Sequence, residues 1–108
     1  MTFFAWLIFL LAALLEVGGD AAIRRGLRGG GLLFIVVGFV VLGSYGLDVN
    51  SPKSWDFSKL LGVYVAFFAV VSILCGRYLF KESIPASTWL GLLLIVIGGL
   101  VIQFGNLK

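Results

Sequence analysis

A chain of 108 residues that is 61% hydrophobic and 12% charged is too apolar for a soluble globule, where about 45–50% apolar and about 25% charged residues are usual. A soluble domain of this size buries only about 60–70% of the surface its unfolded chain exposes, so lipid must be the solvent, and the length allows one domain, 1–108. The formal charge of +3 comes from basic residues in short connectors, which excludes a nucleic-acid surface; with no His and a lone Cys75, it also excludes a disulfide framework and a Cys/His metal site.

Crossing a hydrocarbon core of about 30 Å takes about 20 residues of helix. Charge-free stretches therefore predict four helices, near 3–23, 30–47, 58–79 and 86–105. The fold class is an all-α integral membrane protein, a four-transmembrane-helix bundle in the plasma (inner) membrane.

Helix one is unbroken apolar from Phe3 to Leu15 and continues through Glu16 toward Ile23. It lacks a positive n-region and is interrupted by an acid, so it reads as a retained span rather than a cleaved signal peptide. Glu16 lies about 20 Å into the slab when counted from Phe3 at about 1.5 Å per residue. An ionised acid at that depth is expensive, a charge at the helix centre costing about 2.5–3.5 kcal/mol, and such residues mark function by default. A carboxyl in that position can hold a proton or a cation but not both, which is the physical core of a proton/cation antiporter. The competing structural reading is a polar lock between helices, with Ser44, Tyr64 or Ser72 as hydroxyl partner. Asp20 is one turn on and faces the same way. It either pairs with Arg24, a further four residues along, or serves as a second acid on the ion path. Gly18 and Gly19 leave room for another backbone beside the acid.

The connector Arg24–Gly29 leads into helix two, which is short and carries Gly38, Gly43 and Gly46. These leave room for a kink or a locally thinned bilayer. The middle connector, Asp48–Phe57, has the turn composition Asn50, Ser51, Pro52 and Ser54. Helix three presents Tyr64 and Phe67 three residues apart on one face, with Phe68 beside them. Tyr64 could donate to Glu16, and the rings could receive an organic cation for about 0.5–2 kcal/mol each; lipid-facing or core aromatics are the plain alternative. After Phe80–Pro85, helix four opens at Pro85, with Ser83 as its candidate cap. Gly91 and Gly98 are seven apart and share a seam, with Gly99 next to it. Such a seam packs helices tightly in lipid, within one subunit or between two. Trp6, Trp55 and Trp89, with Tyr45 and Tyr78, read as interfacial belt residues, and Cys75 as packing.

The orientation signal is weak. Arg24, Arg25, Arg28, Arg77 and Lys81 fall on one side and Lys53, Lys59 and Lys108 on the other. The positive-inside rule then puts both termini outside. So small a bias also permits insertion both ways, which would supply an antiparallel dimer.

The stretch Leu14-Leu15-Glu16-Val17-Gly18-Gly19 resembles the first-helix signature of the small multidrug resistance transporters of the drug/metabolite transporter superfamily, in the form found in the YnfA-like branch. Gly62-Val63-Tyr64-Val65-Ala66-Phe67 resembles the third-helix substrate-facing motif. Trp89-Leu90-Gly91-Leu92-Leu93-Leu94-Ile95-Val96-Ile97-Gly98 resembles the fourth-helix glycine seam. The resemblance implies an antiparallel homodimer with no cofactor, Glu16 as the coupling acid, Tyr64 and Phe67 as the site wall, and Gly91 and Gly98 as the dimer seam. The chain departs from typical multidrug members in three places. Phe67 stands where they have Trp, Ala69-Val70-Val71 where they have a glycine hinge, and Asp20 is an added acid. The long middle connector is closer to the YnfA-like branch.

The function expected from residues and resemblance together is proton-coupled export of small or lipophilic cations, with partners limited to a second copy, lipid, protons and the substrate. No nucleophile–base pair or phosphate loop points to an enzyme. A lipid or lipid-linked-sugar flippase and a non-transporting membrane subunit are the other readings.

Overall fold

The computed structural model describes residues 2–106, without the side chain of Thr2; Lys108 of the charge tally lies outside them. Four helices form: α1 (Thr2–Arg25), α2 (Leu32–Val49), α3 (Phe57–Tyr78) and α4 (Ala86–Phe104). All four are long and apolar enough to cross a membrane, and the described residues contain no strand. Large apolar side chains stand exposed along every helix, among them Phe3, Phe39, Leu74 and Leu94. No described residue of the polar or charged classes is fully buried. Apolar groups outside and little polarity inside is the arrangement hydrocarbon favours, and helices satisfy their own backbone groups there.

The chain divides into two compact units, Met1–Pro52 and Lys53–Lys108, each a helical hairpin. In the first, α1 and α2 are joined by the connector Gly26–Gly30. The chain reverses at Gly29 (φ 99°) and Gly31 (φ 98°), a left-handed backbone that glycine adopts without steric cost. The hairpin then closes through bare backbone. A Cβ on Gly38 would lie 2.5 Å from Ile23 Cγ1 and 2.8 Å from the Gly19 carbonyl oxygen, and one on Gly19 would lie 2.7 Å from Leu42 Cγ. Without a hydrophobic force between helices in lipid, close contact of this kind is what holds them. α2 runs unbroken from Leu32 to Val49, with Gly38 at the helix contact. Asn50 and Ser51 cap its end: Asn50 Nδ2 donates to Gly46 O (2.9 Å), and Ser51 N and Oγ donate to Asp48 O (3.1 and 2.7 Å).

The second hairpin uses the same device. A Cβ on Gly62 would meet Ile102 Cδ1 at 2.9 Å, and one on Gly99 would meet Ala66 Cβ at 3.0 Å. α3 buries Leu60, Val63, Tyr64, Ala69 and Val71. It ends in a cap where Leu79 N and Phe80 N donate to Cys75 O (2.8 and 3.2 Å) and Glu82 N to Gly76 O (2.9 Å). Lys81 there has a φ of 54°, a conformation usually left to glycine. Pro85 rather than Ser83 occupies the N-cap of α4, with no side-chain cap. Pro85 O accepts from Thr88 N and Trp89 N (3.0 and 3.4 Å), so the first turn closes on the proline carbonyl.

Candidate functional site

Glu16 is half-buried on α1, one turn before the glycine contact, and Asp20 is exposed one turn later. Close approach at Gly19 and Gly38 fixes what faces them. Gly38, Leu42 and Tyr45 follow an i, i+4, i+7 pattern, so they share one side of α2, and Gly38 and Leu42 demonstrably touch α1. The same side carries the Tyr45 phenol to the acids. Both carboxylates lie near enough to act on it electrostatically, and neither Glu16 nor Tyr45 is without a partner. Of the two glycines after the acid, Gly19 admits the α2 backbone, while a Cβ on Gly18 would meet nothing within 4 Å.

The sequence places Tyr45 in the interfacial belt and does not connect it with the acids. The missing information was the α1–α2 register. The signal that could have supplied it is the spacing of Tyr45 from Gly38, once Gly38 is taken as the contact glycine.

Two hydroxyls offered as lock partners for Glu16 are engaged within their own helices. Ser44 Oγ donates to Val40 O (3.0 Å) and Ser72 Oγ to Ala69 O (3.0 Å). A serine hydroxyl has one proton to give, so neither donates to the acid.

On the second unit Tyr64 is 3% exposed, and its ring lies 6.4 Å from that of Phe68 at 36°. Phe67 is half-buried. Gly91 and Gly98 differ from Gly99: a Cβ on either would meet nothing within 4 Å. The α3–α4 contact therefore uses Gly99 and leaves the other two open. Asp48, in the last turn of α2, has its Oδ2 buried without a hydrogen-bond partner. It stands at the negative end of the helix dipole, where an acid is unfavourable. Among the described residues no group of three or more His, Cys, Asp or Glu gathers to hold a metal ion.

The chain is similar to a protein of Staphylococcus carnosus, 35% identical over 96 residues that cover 88% of this chain and 89% of the relative. A protein of Clostridium perfringens is 34% identical over 98 residues, 89% and 88% of the two chains. Both are named UPF0060 membrane protein. The chain belongs to the UPF0060 membrane protein family. This is the YnfA family, so the YnfA-like branch expected from the helix-one motif is the right one. A third member of the UPF0060 family, from Herpetosiphon aurantiacus, is 28% identical over 104 residues, 94% of each chain. No family model and no solved structure matches the chain. Family membership and four span-length helices make it a multi-pass cell-membrane protein.

Proposed function

We propose that this UPF0060 protein is a proton-coupled antiporter that exports small or lipophilic cations, a transporter rather than an enzyme. The observation that carries the reading is Glu16, half-buried on a span-length helix one turn before the close approach of Gly19 to Gly38. One carboxyl on a span-length helix binds either a proton or a cation, so an arriving cation displaces the proton and an arriving proton displaces the cation. Removal of water makes each of these charge interactions stronger than in solution. In this reading the Tyr45 phenol, on the side of α2 that packs on α1, serves as a donor for the carboxylate during the interval between the two ligands. Asp20, one turn nearer the end of the span and exposed, offers a second carboxylate along the way in. Phe67 of α3, half-buried, is a ring face for an organic cation, worth about 0.5–2 kcal/mol; Tyr64, 3% exposed, serves as a second one only once it is uncovered.

The working unit in this reading is a homodimer joined along α4. The open sides of Gly91 and Gly98 support it, because a second helix can approach there as closely as α1 approaches α2.

Proton release on addition of tetraphenylphosphonium or guanidinium to the detergent-solubilised protein tests the reading. Wild type is expected to release protons; Glu16→Gln is expected to release none while keeping the wild-type sizing profile. Proton-driven uptake into vesicles that carry Glu16→Gln at wild-type levels would overturn it. Bound lipid together with no cation-induced proton release would indicate a flippase instead.

A further inference from the structure

We propose that the α1–α2 connector is a binding surface for the phosphate of anionic phospholipids. Arg24, Arg25 and Arg28 fall within five residues, and no acid occurs between Asp20 and Asp48. The other connectors mix their charges: Lys53 and Lys59 stand with Asp56, and Arg77 and Lys81 with Glu82. Only the first holds three cations with no acid inside it; Asp20, a turn before Arg24, is the nearest acid in sequence.

Its shape suits a headgroup. All three arginines are exposed. The turn they flank has no side chain at Gly29, Gly30 or Gly31, and a Cβ on Gly29 or Gly31 would meet nothing within 4 Å. A phosphate can thus come down onto the backbone between the guanidinium groups. The Arg25 guanidinium carbon lies 4.8 Å from the centroid of the Phe34 ring, which holds that group at the helix ends instead of leaving it free in water. Guanidinium is also the cation whose planar fork matches phosphate oxygens in pairs.

The neighbours of the arginines select a lipid over a soluble anion. Leu27, Leu32 and Leu33 are 71%, 73% and 73% exposed and begin directly beside the charged residues. A phospholipid places a phosphate and its acyl chains at that junction, at the end of two span-length helices. A soluble phosphate would engage the arginines alone and leave the leucines to other lipids. The surface does not depend on Glu16 or on transport.

The test is the preference of the protein for spin-labelled phosphatidylglycerol over phosphatidylcholine in reconstituted bilayers, where orientation does not matter. Attraction near the surface corresponds to roughly a fivefold effect for each basic residue. Wild type is expected to prefer phosphatidylglycerol, with the preference falling as salt rises. The triple variant Arg24→Gln, Arg25→Gln, Arg28→Gln is expected to lose most of it, about a hundredfold at the limit of full engagement. Lys53→Gln with Lys59→Gln is expected to change it little. If the triple variant fails to fold, the three single variants should each show a graded loss. An unchanged preference in every folded arginine variant, or equal loss in the lysine pair, would overturn the proposal. So would displacement of the labelled lipid by inorganic phosphate at constant ionic strength, which would mark a soluble-anion site.

Discussion

A Cβ on Gly38 would sit 2.8 Å from the carbonyl oxygen of Gly19. That contact sets the α1–α2 register, and the register brings Tyr45 to Glu16 and Asp20. Gly38→Ala must therefore push the helices apart or displace Ile23. It is expected to destabilise the protein by about 1–3 kcal/mol, the usual cost of overpacking. Gly43→Ala, with nothing within 4 Å of the added atom, is expected to stay within about 0.5 kcal/mol of wild type. Unfolding in detergent, followed by circular dichroism, compares the two.

The acid cluster gives a rank order. Glu16→Gln is expected to abolish proton-coupled cation uptake. Tyr45→Phe removes only the hydroxyl and is expected to reduce uptake about tenfold, the scale of one hydrogen bond to a charged group. Asp20→Asn is expected to be milder than Glu16→Gln. Uptake assays in vesicles with matched protein levels give the order, and equal loss in the two acid variants would raise Asp20 to the primary site.

Adjacent glycines on α4 separate folding from assembly. Gly99→Leu adds bulk against Ala66 and is expected to destabilise the second hairpin itself. Gly98→Leu points into open space, so helicity and stability should hold while self-association weakens. An unchanged cross-linking profile for Gly98→Leu would count against a dimer along that seam.

The cap of α3 offers a gain. Lys81 has a φ of 54°, and a non-glycine residue in that region carries roughly 1–2 kcal/mol of steric cost. Lys81→Gly relieves this but loses roughly 0.5–1 kcal/mol to the greater freedom of glycine in the unfolded chain. A net gain of about 0.5 kcal/mol is expected, whereas the β-branched Lys81→Val should lose stability. Thermal unfolding midpoints of the two variants report the sign.

The helices were legible because hydrocarbon excludes charge. Asp48, Lys59, Arg77 and Glu82 bracket the spans nearly where the helices begin and end. Glu16 was legible for the same reason, as a charge out of place. The side of α2 that faces the acid was not, because periodicity assigns a residue to a face without saying which neighbour covers it. Tyr45 lies near the end of α2, so its distance from the centre of the span suggested an interfacial belt, while its side of the helix turns it toward α1. The glycines of α4 show a finer limit. Gly98 and Gly99 are adjacent in sequence but about 100° apart around the helix, and only coordinates reveal which of them meets Ala66.

Each hairpin closes over a connector of a few residues and is compact by itself, and so it has consequences for how the protein is made. Short loops cost little closure entropy, and contacts between sequence neighbours form early. Residues up to Pro52 contain everything the first hairpin packs against itself. Insertion can then proceed in two instalments, with the amino-terminal pair settled in the bilayer while the ribosome is still translating α3. A gene divided at Ser54 and expressed as two fragments should deliver each half to the membrane as a protease-resistant helical pair.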